Sequence, residues 1–285
     1  MQIIKKMNKQ YLITADDYGF CPEVDSAIEE LAKKGILSTT NVLVNFRQDF
    51  TGSPLKGKSG FSIGIHWNVT TGKPVSPLDK VKTLVDEKGV FWSIDEFRRR
   101  YKEGLINEIE LEVELQNQFD IYSKSFGHPD YWNSHENSSL YPAPFEIFKK
   151  VALRNGIRAT RNFQRVYVDY DNCRGIKRKI REFLVRNYVN LKYGIIERRN
   201  FHMPDGRIVT FVNHTKTDFD RLKTCLEKTK KKSVEIIIHP AVSGDNPLFG
   251  NITTDRVDEY KAFMSDRFYA LFTENGNKIV TYKDI

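Results

Sequence analysis

The stretch Tyr11-Leu12-Ile13-Thr14-Ala15-Asp16-Asp17-Tyr18-Gly19-Phe20-Cys21-Pro22, read on to Val44, decides the fold. Tyr11 to Thr14 is short, apolar and β-branched, as a strand is. Gly19 lets the chain turn, and a helix begins near Pro22: Val24, Ala27, Ile28 and Leu31 recur at i, i+3, i+4 and i+7 and stop at Gly35. Ser38 to Val44 then reads as a second strand. A strand, a helix and a strand in succession predict a parallel pair, because parallel strands need a crossover connection.

The same alternation extends along the chain. Ser62 to His66, Tyr131 to Ser134, Ile157 to Thr160, Glu235 to Ile238 and Lys278 to Tyr282 read as further strands, about seven in all. Phe145 to Asn155, Asp218 to Thr229 and Thr254 to Glu274 read as helices, and Phe91 to Ser123 as two in succession. The expectation is an α/β protein: one domain over 1–285, a distorted (β/α) barrel of about seven parallel strands. It carries a helical insertion or lid at about 162–213, where no clean unit is legible; such insertions cap sites or build dimer contacts.

Composition bounds the function. In 285 residues, 40% are hydrophobic and 29% charged, so a large core is possible and extended disorder is excluded. No apolar run approaches the roughly 20 residues of a bilayer span. Lys5, Lys6 and Lys9 are not followed by the apolar stretch of a signal peptide, and Cys21, Cys173 and Cys225 show no paired spacing. A cytoplasmic protein with reduced thiols, and no membrane partner, is expected. The net charge of +8 concentrates between Arg174 and Arg199. That segment reads first as a solvated helix face, then as a lid over an anionic ligand, and no nucleic-acid fold accompanies it.

Polar residues gather where strands end. Asp16 and Asp17 follow the first strand; His66, His135 and His239 each end one, and Arg161 follows Ile157 to Thr160. Each alone has a bland reading, the aspartates as a helix cap beside a solvated acid and a lone histidine as a bonded structural residue. Strand exits of a βα barrel, however, open on one face, where active sites lie. One carboxylate and two imidazoles would leave coordination positions open, as a catalytic metal site does. His128, His202 and His214 fall in loops or in the interruption.

Thr14-Ala15-Asp16-Asp17-Tyr18-Gly19-Phe20 resembles the opening motif of the YdjC/ChbG-type carbohydrate deacetylases. The motifs Gly64-Ile65-His66-Trp67-Asn68 through Pro74-Val75, Asn133-Ser134-His135 with Pro142, Arg158-Ala159-Thr160-Arg161 and Glu235 to Pro240 follow in the family's order. The stretch from Asp255 through Tyr260 to Asp284 is also similar, so the likeness covers nearly the whole chain. The resemblance implies a metal-dependent hydrolase removing an N-acetyl group from an amino sugar or chitin-type oligosaccharide. By the same resemblance Asp17, His66 and His135 hold one divalent ion, Asp16 is the general base and His239 the general acid. Arg161 fixes the base or steadies the oxyanion. The ion would be zinc or magnesium, with cobalt possible.

Trp132, Asn133 and Asn137 stand where the family usually has further His and Asp, and Ala241 where glycine is usual. Asn133 can hydrogen-bond but brings no charge to a ligand. Tyr18, Trp67, Tyr131 and Trp132 are candidates for stacking on sugar rings, with packing the competing reading. The expected partner is a small carbohydrate, anionic or phosphorylated if the basic insertion contacts it, with a homodimer through 162–213. A non-catalytic carbohydrate or metal-binding barrel and a metal-dependent phosphoester hydrolase are the alternatives.

Overall fold

The period of two in β1 (Gln10–Tyr18) organises the molecule. Tyr11, Ile13 and Ala15 join the apolar layer between sheet and helices, while Leu12, Thr14 and Asp16 face the other way. In this computed structural model residues 8–140, 144–164, 166, 176–210, 219–249 and 253–285 are described. The order continues α1 (Pro22–Lys34), β2 (Thr39–Val42), β3 (Ser62–Trp67), α2 (Ile94–Lys102), α3 (Glu108–Phe126), β4 (Trp132–Ser134) and α4 (Phe145–Arg154). Then come α5 (Ile176–Gly194), β5 (Gly206–Val209), α6 (Phe219–Lys228), β6 (Ser233–Ile238), α7 (Thr254–Phe263), α8 (Asp266–Thr273) and β7 (Lys278–Ile279).

Among the described residues the seven strands are all parallel, in the order β4-β3-β2-β1-β6-β5, with β7 beside the start of β1. Residues 159–164 and 166 span the gap between the edge strands. Trp132 N–H donates to the Ala159 carbonyl at 3.1 Å, Arg207 N–H to the Gln164 carbonyl at 2.9 Å, and Val166 N–H to the Arg207 carbonyl at 2.9 Å. The sheet is thus curled into the expected distorted (β/α) barrel.

Three elements differ from expectation. Ile157 to Thr160 makes single bridges, Trp132 to Thr160 and Ala159 to His202, rather than a regular strand. Its backbone groups are divided among several neighbours, so no ladder runs along it. The sheet instead takes β5 from inside the expected insertion, pairing with β6 from Gly206 to Val209. This strand is short and opens on glycine, which gives little β signal. The long helix expected at the C-terminus is divided at Met264 and Ser265 into α7 and α8, with Ser265 Oγ accepting from Phe268 N–H as a cap.

A small inner cluster, Leu12, Tyr131, Ala159, Val280 and Tyr282, closes the floor of the barrel. The Tyr131 and Tyr282 rings stack with centroids 3.8 Å apart. Gly64 makes room for them, since a Cβ there would lie 2.5 Å from the Tyr131 ring. The mouth at the opposite end is left to polar groups. Among the described residues no helix is long and apolar enough to cross a membrane.

Candidate metal centre and catalytic cluster

In an ordinary strand Asp16 and Asp17 would face opposite sides of the sheet. Asp17 instead has φ of +76°, and the β1–β2 register shifts between Ala15 and Tyr18. This local break in alternation turns both buried carboxylates to the mouth. Gly19, at φ of +97°, completes the turn; a Cβ there would sit 2.7 Å from the Leu43 carbonyl oxygen. Its N–H is held by Asp25 Oδ1 at 2.6 Å.

His66 in β3 and His135 just after β4 converge on Asp17. Asp17 Oδ1 lies 3.3 Å from His66 Nε2 and 3.0 Å from His135 Nδ1, and the two imidazole nitrogens are 3.4 Å apart. The turn after His135 is strained, with φ of +52° at both Glu136 and Asn137. Arg98 donates to the Asn137 carbonyl at 3.3 Å and Arg207 to Asn137 Oδ1 at 3.0 Å, which fixes that turn.

These three residues are the group among the described residues able to hold a metal ion, their donor atoms lying within 4.8 Å of one another. The separations suit donors about 2.0–2.1 Å from a common centre, the usual zinc distances. Two nitrogens and one carboxylate oxygen leave room for substrate and water. Burial alone would raise the Asp17 carboxyl, but His135, His66 and Arg256 outweigh it and hold it well below the usual range. The donor set therefore fits a divalent ion.

Asp16 lies beside this centre in a buried network. Arg161 donates to its two oxygens at 2.6 and 2.8 Å, and Asn41 Nδ2 donates to Oδ1 at 2.6 Å. Burial would raise this carboxyl too; Arg161 above all, with His66 and His239, drives it far below the usual range. The other flank of Arg161 rests on Glu235, at 3.1 and 3.2 Å, and Thr14 Oγ1 donates to Glu235 Oε1 at 2.9 Å. Asn133 lies between His66 and Arg161. Turned one way, its oxygen accepts from Arg161, at 3.0 and 3.2 Å, and from Asn41, at 2.9 Å, while its nitrogen meets His66 Nδ1; turned the other, its oxygen accepts from His66 Nδ1–H, the tautomer that leaves Nε2 free as a metal donor.

His239 closes the cluster from the end of β6. Its Nε2 is 3.8 Å from Asp16 Oδ2, and its backbone N–H donates to Glu259 Oε2 at 2.6 Å. The ring keeps 25% of its surface open, yet the protein packed around it pushes its pKa down to about 4, desolvation exceeding the pull of Asp16 and Asp17. All six residues singled out at strand ends thus meet at one mouth.

Other expectations resolve differently. Tyr18, Trp67, Tyr131 and Trp132 are fully buried, so the packing reading holds for them. His128 is exposed and bonds the Asn155 carbonyl; His202 is exposed and enters the sheet through its backbone. His214, Cys173 and Arg174 lie outside the described residues, as do the side chains of Lys177, Arg178, Lys179, Arg181 and Arg186. Cys21 and Cys225 are buried. Sequence reasoning missed Glu235, Arg256 and Glu259 as site residues. A charge inside the run Val234-Glu235-Ile236 was the one visible signal, since only an inward polar network accommodates it.

The profile of the YdjC-like protein family matches residues 11–274. The chain belongs to that family. Relatives of this YdjC-like protein include a carbohydrate deacetylase of Danio rerio, 23% identical with 96% of this chain and 97% of the relative covered. A carbohydrate deacetylase of Clostridium beijerinckii is 24% identical, covering 96% and 99%. A chitooligosaccharide deacetylase of Escherichia fergusonii is 26% identical over 58% of this chain and 64% of the relative. In fold, the YdjC-like chain is similar to the crystal structure of an Enterococcus faecalis V583 protein provisionally ascribed to cellobiose-phosphate cleavage. The TM-score is 0.73 at 23% identity, covering 97% of this chain and 98% of the other.

Proposed function

We propose that this protein is a metal-dependent carbohydrate deacetylase that removes the N-acetyl group of an amino sugar or chitin-type oligosaccharide. The observation that carries the reading is the adjacency of two differently furnished aspartates. Asp17 faces two imidazoles at 3.0 and 3.3 Å, while Asp16 is paired with Arg161 at 2.6 Å. Simple metal retention needs the first and not the second. The deacetylase names of full-length relatives support the substrate class. We read residues 1–285 as one catalytic domain acting in the cytoplasm.

Asp17, His66 and His135 would hold zinc, with magnesium and cobalt as alternatives; two imidazoles favour zinc or cobalt. When bound, the ion would polarise the acetyl carbonyl and acidify water. Asp16, kept ionised by Arg161, orients that water as general base. Arg161, paired with Asp16 on one side and Glu235 on the other, fixes the base carboxylate in place. His239, neutral in the resting site and 3.8 Å from Asp16, stands across the site as the general acid that, once protonated, delivers a proton to the departing amine.

The test is calorimetric titration of chelator-treated protein with zinc, followed by an acetate-release screen on acetylated amino sugars. We expect one-site binding that is lost in His66→Ala, and acetate release only with metal. Zinc binding indifferent to His66→Ala would overturn the metal assignment. Release of phosphate from a generic phosphoester instead of acetate would reassign the reaction.

A further inference from the structure

Helix α7 reaches two strand exits from one face. Arg256 and Glu259 stand three residues apart, which places them on the same side of the helix. Glu259, fully buried, accepts the backbone N–H of His239 at 2.6 Å. Arg256, 7% exposed, donates through one terminal nitrogen to Asp17 Oδ2 at 2.9 Å. Its backbone carbonyl takes the Ala241 N–H, so the same turn of helix is tied to the loop after β6.

The guanidinium has an unusual balance. Nε and the second terminal nitrogen are buried with no hydrogen-bond partner among the described residues, and the group lies against the rings of Phe249 and Phe20, at 5.0 and 5.7 Å from their centroids. A buried cation without full pairing is costly. The contact that answers that cost here is the carboxylate of Asp17. A carboxylate can offer one or both oxygens to a cation. Here Oδ1 faces His66 and His135, while Oδ2 is turned to Arg256.

We propose that Arg256 is a positioning residue that withholds Oδ2 of Asp17, so that the centre presents one carboxylate oxygen and two imidazole nitrogens. The consequence is selectivity. A centre limited to one carboxylate oxygen favours nitrogen-accepting ions such as zinc over oxygen-preferring ions such as manganese. The inference rests on the reading of Asp17, His66 and His135 as metal donors. It concerns what the centre selects, which that reading leaves open.

The experiment compares zinc and manganese dissociation constants by calorimetry in wild type, His66→Ala, Arg256→Gln and Arg256→Lys. Removing the Arg256 charge strengthens binding of both ions by simple electrostatics, so the ratio between them is the diagnostic. In Arg256→Gln the preference for zinc over manganese is expected to fall by about tenfold, the scale on which partners of metal ligands act. Arg256→Lys, which keeps a donor and the charge, is expected to retain most of the preference and guards against misfolding of the glutamine variant. A preference unchanged in Arg256→Gln, with both constants moving together, overturns the proposal while the metal centre stands. Absence of zinc binding in wild type, or binding indifferent to His66→Ala, overturns both.

Discussion

Arg161 lies 3% exposed between two carboxylates, Asp16 and Glu235, and its replacement by methionine isolates both in the interior. Methionine keeps most of the side chain's length, so the change is chiefly electrostatic. Breaking a buried pair by removing one partner costs about 3–5 kcal/mol. At about 2–4 °C per kcal/mol for a chain of this class, the midpoint should fall by roughly 6–20 °C. The pH dependence gives a sharper test. In the wild type the Asp16 carboxyl is held below its ordinary value by Arg161, so its stabilisation is complete above about pH 4 and is lost as pH falls through the folded value. Without Arg161 burial raises the Asp16 carboxyl against only the weaker pull of His66 and His239, and acidification should restore stability by neutralising Asp16. Thermal unfolding followed by circular dichroism in chelator, from about pH 8 down to about pH 3, reads both effects. A loss under about 1 kcal/mol, or a variant whose midpoint falls with acid as the wild type's does, would refute the account of Arg161 as the cation that makes this interior tenable.

Three further outcomes are expected. Asp16→Asn should lower acetate release about 10²–10⁴-fold while leaving zinc affinity within a few-fold, since Asp16 stands outside the donor triad; a matching collapse of zinc binding in calorimetry contradicts the division of labour. His239, pushed down to about 4 by burial, resists protonation in the folded chain, so its contribution is present above about pH 6.5 and is lost toward pH 4. His239→Gln should therefore flatten the metal-free stability profile across that window, and an unchanged slope in urea titrations argues against a desolvated ring. Gly64→Ala should cost about 1–3 kcal/mol in denaturant unfolding because its Cβ enters the Tyr131 ring, and a neutral result would show that the Tyr131–Tyr282 stack yields freely.

The strand-and-helix rhythm from Tyr11 to Val44, and the polar residues placed after successive strands, were legible from sequence because parallel βα units put every strand exit on one face. Asp16, Asp17, His66, His135, Arg161 and His239 could be singled out on that ground alone. Strand position could not divide the work between the two aspartates, which only the family resemblance assigned. What sets the two apart in the structure is the left-handed backbone at Asp17 and which cation each carboxylate meets, Arg161 or Arg256. Nor could local pattern find β5, whose strand state is set by β6 beside it, or Glu235, whose partners lie 74 and 221 residues away. Periodicity reports which face of an element is buried, and so it determined the barrel and its mouth. Partner choice inside that mouth depends on contacts distant in sequence, and those the tertiary structure alone decided.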